Sequence, residues 1–280
     1  MSVVAQGSGR LEAIPRPKSV FQRNLNLTRE LAITQFKLKY TGSALGYFWS
    51  MVKPLMLFGI MYLVFSVLLK AGATTVNFPA QLLFAIVLWT FFIESTTSAM
   101  NAIAGAGDLI RKAYFPRWIL VVSSTASALL TFAINTLLVV VATLLLGQLH
   151  FGWGTLLAPL YILQLAALVL GLSLLLSALF VFFRDLGHIW EILSLVLFYG
   201  SAVVFPITRI HGTLLKLAGL NPVGQIVEDL RHAMIDVPKV PSMLTLIGPL
   251  AIVPVIGTLA ILVIGFAVFN RLTPKFAEAL

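Results

Sequence analysis

The sequence predicts an all-α integral membrane protein: six transmembrane helices, an N-terminal amphipathic interfacial helix ahead of them, and short re-entrant or surface helices on the outer side before the last span. Composition, run length and charge placement all point there. Of the 280 residues, 59% are apolar and 10% charged, against roughly a quarter charged in soluble domains, which rules out a soluble fold. The apolar residues gather into six runs suited to a hydrocarbon core about 30 Å thick, which takes about 20 helical residues. The 19 Lys and Arg, set against 10 Asp and Glu, lie mostly before and between those runs. That is the pattern of a polytopic chain with basic cytoplasmic loops rather than of a nucleic-acid binder. Zero cysteines exclude disulfides, thiolate catalysis and Cys-based metal sites.

Residues 1–23, with Gly7, Gly9, Pro15 and Pro17, read as a flexible cytoplasmic tail, and no cleavable signal is expected because n-region, h-region and cleavage site do not occur in order. Residues 24–50 form the interfacial segment. Its NLTRELAITQFKLKY stretch places Leu27, Leu31, Ile33, Phe36 and Tyr40 near one broad face, with Arg29, Glu30, Lys37 and Lys39 among the polar positions. Gly42 and Gly46 then give flexible points, and Tyr47 and Trp49 are interfacial aromatics before the first span. The transmembrane domain occupies 51–270, with spans at about 51–69, 79–103, 118–146, 155–183, 187–205 and 243–269. Pro249 and Pro254 fall inside the last, where neighbouring helices can satisfy the freed backbone groups. Between spans five and six, residues 206–242 form the outer region. There NPVGQIVEDLRHAM sets Val223, Ile226, Val227, Leu230 and Met234 three and four apart behind Asn221 and Pro222, which marks a helix.

Orientation follows from the basic residues. Fourteen lie on the side of the N-terminus and five on the other, so both termini are placed in the cytoplasm of a multi-pass protein of the cytoplasmic (inner) membrane.

The cytoplasmic loop at 104–117 carries the most pointed motif. Gly105 and Gly107 break the helix, Asp108 is read as the cap of a short new helix, and Leu109, Ile110, Tyr114 and Phe115 are interleaved with Arg111 and Lys112 before Pro116 ends it. Apolar anchors mixed with bases suit a docking knob; an interfacial loop with aromatics at the headgroups is the equal alternative. Enzyme signatures are lacking. The sequence has no P-loop, no H-E-x-x-H and no G-x-S-x-G, and the His232/Asp236 pair reads as a solvated helix face. Charges at mid-bilayer cost about 2.5–3.5 kcal/mol on insertion scales. Glu94 is therefore expected either to have a polar partner within a dimer or to line a pathway, and Glu191 to reach the inner interface near Arg184.

LTRELAITQFKLKYTGSALGYFWSMVKPLM, GDLIRKAYFPRWILVVSS, FFRDLGHIWEIL and LNPVGQIVEDLR, in that order and at these separations, resemble the permease subunit of ABC-2 type exporters for polysaccharide, O-antigen or teichoic acid. The resemblance runs from about Asn24 over nearly the whole chain; SAVVFPITRI departs from it, where relatives more often show Ser-Pro before an aromatic. It implies a homodimer joined to two copies of a separate ABC ATPase that holds the ATP and Mg, with no cofactor, catalytic residue or metal site in this chain. The segment before span one would be the interfacial helix, with Leu31, Phe36, Lys37, Lys39 and Tyr40. Residues Asp108, Leu109, Ile110, Arg111, Lys112, Tyr114 and Phe115 would form the coupling helix to the ATPase. Membrane lipid and a lipid-linked glycan would be the other partners, with no nucleic acid. For a glycan path the candidates are Tyr47, Trp49, Trp89, Phe91, Phe92, Glu94 and Tyr199; any single aromatic reads more readily as a packing or belt residue. A glycan- or lipid-processing membrane enzyme would need clustered acids, His or Arg at one face, and a secondary carrier repeated halves or ion ligands at the midplane; an ABC-2 exporter of another amphipathic substrate is the nearer alternative.

The topology is directly testable. A cysteine introduced at Gly152 should label from outside and one at Arg111 only after permeabilisation; the reverse pattern would falsify the orientation.

Overall fold

The computed structural model describes residues 19–279 apart from 44, 71–74, 76, 113, 114, 149–151 and 236–239, and among these it contains helices and turns without a strand. Residues 1–18 of the expected tail, Tyr114 and Asp236 therefore lie outside the described residues. In hydrocarbon a backbone group has no water to bond, so each span must close its own hydrogen-bond ladder, and the long apolar runs become helices.

Helix α1 (Val20–Tyr40) opens where the Ser19 hydroxyl accepts the N–H of Gln22 at 3.2 Å. It closes with Lys37 and Lys39 in its last turn, at the negative pole of the helix dipole. A 3-10 turn at Gly46–Phe48 leads into α2 (Trp49–Tyr62), which runs on as a π-helical stretch, Leu63–Leu68. There the Leu69 N–H reaches back five residues to the Val64 carbonyl at 2.9 Å. Then come α3 (Phe78–Ala104), α4 (Gly107–Lys112), α5 (Trp118–Leu145) and α6 (Ala158–Phe180). They are followed by α7 (Leu186–Gly200), α8 (Thr213–Gly219), α9 (Pro222–Met234), α10 (Met243–Ile247), α11 (Ile252–Leu272) and α12 (Phe276–Ala279).

Among the described residues, five helical segments are long and apolar enough to cross a membrane: Gly46–Leu68, Phe78–Ala104, Trp118–Leu145, Gly154–Phe180 and Met243–Lys275. The expected fifth span, 187–205, differs. Helix α7 has 15 residues, about 22 Å at 1.5 Å per residue, and stops at Gly200. The chain then turns through Ala202, whose φ is 51°. The apolar run continues past this point, so hydropathy alone overextends the helix. The last span is also not one unbroken helix from 243. It is interrupted at Gly248, with φ 61°, and Pro249, and resumes at Ile252. Pro254 then falls in the first turn of α11, where its missing N–H has no intrahelical partner to lose. The first span begins earlier than expected, at Trp49.

Helix α3 is the axis of the bundle. Leu82, Ala85, Ile86 and Phe92 are fully buried where α2, α5, α6 and α9 pack around it. Helix α1 lies along α5, and α11 lies along α6. The α6–α11 crossing is backbone on backbone. A Cβ at Gly171 would sit 2.6 Å from the Leu262 Cα, and one at Gly265 only 2.1 Å from the Gly171 carbonyl oxygen. Small residues permit this approach where lipid offers no hydrophobic driving force between helices. By contrast α2 turns Leu55, Met56 and Ile60 outward, and the π-helical stretch after it Leu63.

Because nothing flexible can yield at the seam, Gly265→Val should lower the thermal unfolding midpoint of the detergent-purified protein, by the equivalent of 3 kcal/mol or somewhat more, the upper end of the roughly 1–3 kcal/mol range for overpacking. Gly257→Ala, whose Cβ would meet only the Pro222 ring at 3.8 Å, should be close to neutral. Equal stability of the two variants would contradict the seam.

Candidate functional site

On the side of the bundle that carries α4, helices α1, α3 and α5 converge on a cleft of about 540 Å³ whose polar lining includes Gln35, Lys39, Glu94, Ser98, Asn101 and Ser124. Lys39 Nζ donates to the Glu94 carboxylate. One helical turn earlier, Gln35 Nε2 donates to the Ser123 hydroxyl at 3.4 Å, and the Ser124 hydroxyl donates to Gln35 Oε1 at 3.2 Å. Helix α1 is thus fastened to both α3 and α5 by polar side chains, with Thr28 and Ala32 also buried, while Leu25 and Leu38 stay exposed. Glu94 finds its partner within its own chain. The ion-pair side chains are 35% and 23% exposed, so the cleft lets water reach them and relieves the cost of a charge inside a span. A pair this open is worth about 1 kcal/mol or less. Leu31 lines the same cleft. Lys37 is exposed, and Phe36 stacks on Tyr47 with centroids 5.2 Å apart and planes at 12°. Tyr40, itself buried, packs at 5.6 Å from Phe36 and 5.3 Å from Tyr47.

Helix α4, the segment expected to couple to an ATPase, follows directly from α3. Helix α4 starts at Gly107, so Asp108 is not its cap but lies within its first turn, where a carboxylate favours the positive pole. The apolar residues divide by direction. Leu109 is 43% exposed, whereas Ile110 is 8% exposed and packs into a cluster with Ile103, Leu120, Val121, Phe269 and Phe276. Phe115 leans on the same cluster. Arg111 and Lys112 belong to α4. The chain end supports this segment from behind. The Arg117 guanidinium donates to the Thr273 carbonyl, and Phe276 is fully buried between Phe269, at 5.6 Å, and Phe182, at 6.1 Å.

The six candidate path aromatics separate into two sets. Trp89, Phe91 and Phe92 are buried in an internal stack with Phe132, Trp190 and Phe198, the Phe91–Phe132 centroids being 4.7 Å apart. Their role within the chain is packing. Tyr47, Trp49 and Tyr199 are exposed.

At the opposite end, α9 holds charged residues that the sequence reading did not single out. Asn221 caps it by accepting the Val223 N–H at 3.0 Å, with Pro222 at the first position. Its apolar stripe is buried, but so are Glu228, Asp229 and Arg231, at 3%, 6% and 2% exposure. The Arg231 guanidinium donates to Glu228 at 3.2 Å and to the carbonyls of Gln81, Ala202 and Val203 at 3.2, 3.1 and 2.8 Å. It thereby gathers the carbonyls that the chain exposes on leaving α7. Asp229 accepts the Met243 N–H at 2.8 Å, tying α9 to the first turn of α10, and accepts from Gln225 at 2.5 Å; Gln225 in turn accepts from Gln164 on α6 at 2.7 Å. Burial pushes the Glu228 carboxyl above the usual range, and Arg231 pulls it back. Burial likewise raises Asp229, opposed by the Met243 N–H and the Gln225 amide. The signal available in sequence was the density of VEDLRH, three adjacent or i, i+3 charges between long apolar runs.

The family model described as ABC-2 type transporter matches residues 26–235. With well over half its length covered, the chain belongs to the ABC-2 type transporter family. Among curated proteins it is similar to two O-antigen export system permease proteins RfbA of Klebsiella pneumoniae, each 24% identical over 244 residues, covering 87% of this chain and 91% of the relative. It is also similar to the O-antigen export system permease protein RfbA of Myxococcus xanthus, 27% identical over 190 residues, or 67% of this chain and 72% of that one.

Removing one member of a buried charge pair commonly costs about 3–5 kcal/mol. Arg231→Met should therefore lower the unfolding midpoint sharply, and Glu228→Leu added to it should restore only part, since the three carbonyls remain without their donor. An Arg231→Met protein as stable as the parent would remove the guanidinium from its organising role.

Proposed function

We propose that this chain is the membrane half of an ATP-driven exporter that carries a lipid-linked glycan, such as O-antigen or teichoic acid, across the cytoplasmic membrane. Family membership supports the exporter class, and the names of the relatives support the glycan. In this reading two copies of the chain join two ATPase subunits, which bring the ATP and Mg. Both termini are cytoplasmic, and α7 completes the sixth crossing with the turn that follows it. The observation that carries the reading at residue level is the division of α4: Leu109 is 43% exposed where it lines the cleft, while Ile110 and Phe115 are anchored on a core closed by Phe276. A helix that is to transmit force needs both a free contact and a rigid backing. Movement of α4 passes to α3 through the short Gly105–Ala106 connection. ATP hydrolysis on the partner then shifts the inner ends of the spans, while the lipid anchor of the substrate stays in hydrocarbon.

Leu109→Asp should weaken co-purification with the ATPase by tenfold or more, as loss of a central apolar contact does. Phe276→Ala leaves that contact in place but opens a void behind it, so the complex should assemble and hydrolyse ATP while glycan export falls. Glu94→Gln preserves a hydrogen bond to Lys39 and should largely retain export. Unchanged association and full export in the Leu109 and Phe276 variants together would overturn the proposed coupling role.

A further inference from the structure

A second cavity, of about 230 Å³, lies in the half of the bundle away from α4, enclosed by Phe84, Val87, Phe132, Val139, Ala158 and Leu230. Its walls come from α3, α5 and α6, closed by α9. Hydroxyls reach it only from Thr136 and Thr155 among its lining residues, and Thr155 donates to the Ala233 carbonyl at 3.0 Å. Buried water needs two to four polar partners, and a dry apolar cavity of about 150 Å³ is already large enough to take up benzene. The lining is therefore unsuited to water and suited to hydrocarbon.

What stands at the mouth decides the occupant. Pro159 is exposed there, Thr136, Ile162 and Met234 are half-buried, and neighbouring Leu137, Leu160 and Leu163 on α5 and α6 are 66%, 58% and 65% exposed. These leucines belong to segments that cross the membrane, so the cavity is continuous with a surface made for lipid. A helix about 10 Å across does not enter a slot of this size; a single hydrocarbon chain does. Bulk phospholipid, as the solvent of the spans, occupies such a site by mass action ahead of a scarce carrier lipid.

We propose that the cavity between α3, α5, α6 and α9 is a binding site for one acyl chain of a membrane phospholipid. The inference rests on the membrane-crossing helices and the cavity, and is independent of the substrate exported. On α9, Leu230 directly precedes the buried Arg231 and Met234 follows it by three residues. The acyl chain thus fills the space beneath the helix that holds α7 and α10 in place, and becomes a structural component of the outer region.

The test uses the full chain in phosphatidylcholine nanodiscs doped with a phosphatidylcholine that bears a mid-chain diazirine, irradiated and mapped by peptide mass spectrometry. Adducts are expected on Val139, Leu230 and Met234 as well as on exposed Leu137 and Leu163. Ala158→Phe fills the cavity and should cut the wall adducts by about fivefold or more, in keeping with the close packing of filled interiors, while those on Leu137 and Leu163 stay level. Should that variant fail to fold, Ala158→Leu serves with a smaller loss, about twofold. Adding a polyprenyl phosphate equimolar with the probe should leave wall labelling unchanged. Adducts confined to the exposed leucines, wall labelling indifferent to the Ala158 variant, or displacement by the polyprenyl phosphate would each overturn the proposal.

Discussion

Burying the Arg231 guanidinium obliges everything around it to supply acceptors, and the half of the protein around α9 is arranged by that demand. An unpaired buried charge is prohibitive, and a paired one is tolerable only when its remaining protons are also bonded. Glu228 answers the charge, and the carbonyls of Gln81, Ala202 and Val203 answer the geometry. Those acceptors belong to the start of α3 and to the segment that leaves α7, so one side chain ties α9 to both. Asp229, next in sequence to Glu228, extends the tie to α10 through the Met243 N–H. The segment that leaves α7 and the start of α10 are thus both held to α9 by buried charged side chains.

The end that carries α4 is built on the opposite principle. Lys39 and Glu94 meet in a wet cleft, and the Gln35 contacts with Ser123 and Ser124 are long. Each such bond is exchanged with water at little loss. Below them, however, Ile110, Phe115 and Phe276 form a dry cluster. A yielding polar layer therefore sits directly above a rigid apolar one. Such a layering lets α1 and α3 separate at the cleft without dismantling the support of α4.

The parts of the fold that hydropathy governs were legible: the long spans, the helix before them and the amphipathic stripe of α9 each announce themselves by run length or period. The end of α7 did not, because the run Ser201–Phe205 is as apolar as the helix before it, and the interaction that holds the segment after it comes from Arg231, far along the chain. Inward and outward residues on α4 were likewise indistinguishable, since Leu109 and Ile110 are adjacent and equally apolar; only the position of Phe276 separates them. The seat of α1 was hidden for a related reason. It depends on small and polar residues, Thr28, Ala32 and Gln35, which an apolar-face reading assigns to solvent. Glu94 was marked as needing a partner, but Lys39, 55 residues earlier, could be matched to it only in three dimensions.

The glycine seam between α6 and α11 has a mechanical consequence. Where two backbones touch without intervening side chains, there are no rotamers to exchange, and relative rotation or sliding has no intermediate of low energy. Helices α6 and α11 therefore behave as one body with a single set of rigid displacements. Freedom to reshape the molecule is left to α2 and α7, which turn most of their side chains away from the rest of the chain. The π-helical stretch at Leu63–Leu68 gives α2 an internal place to change its winding, a degree of freedom that the welded pair lacks.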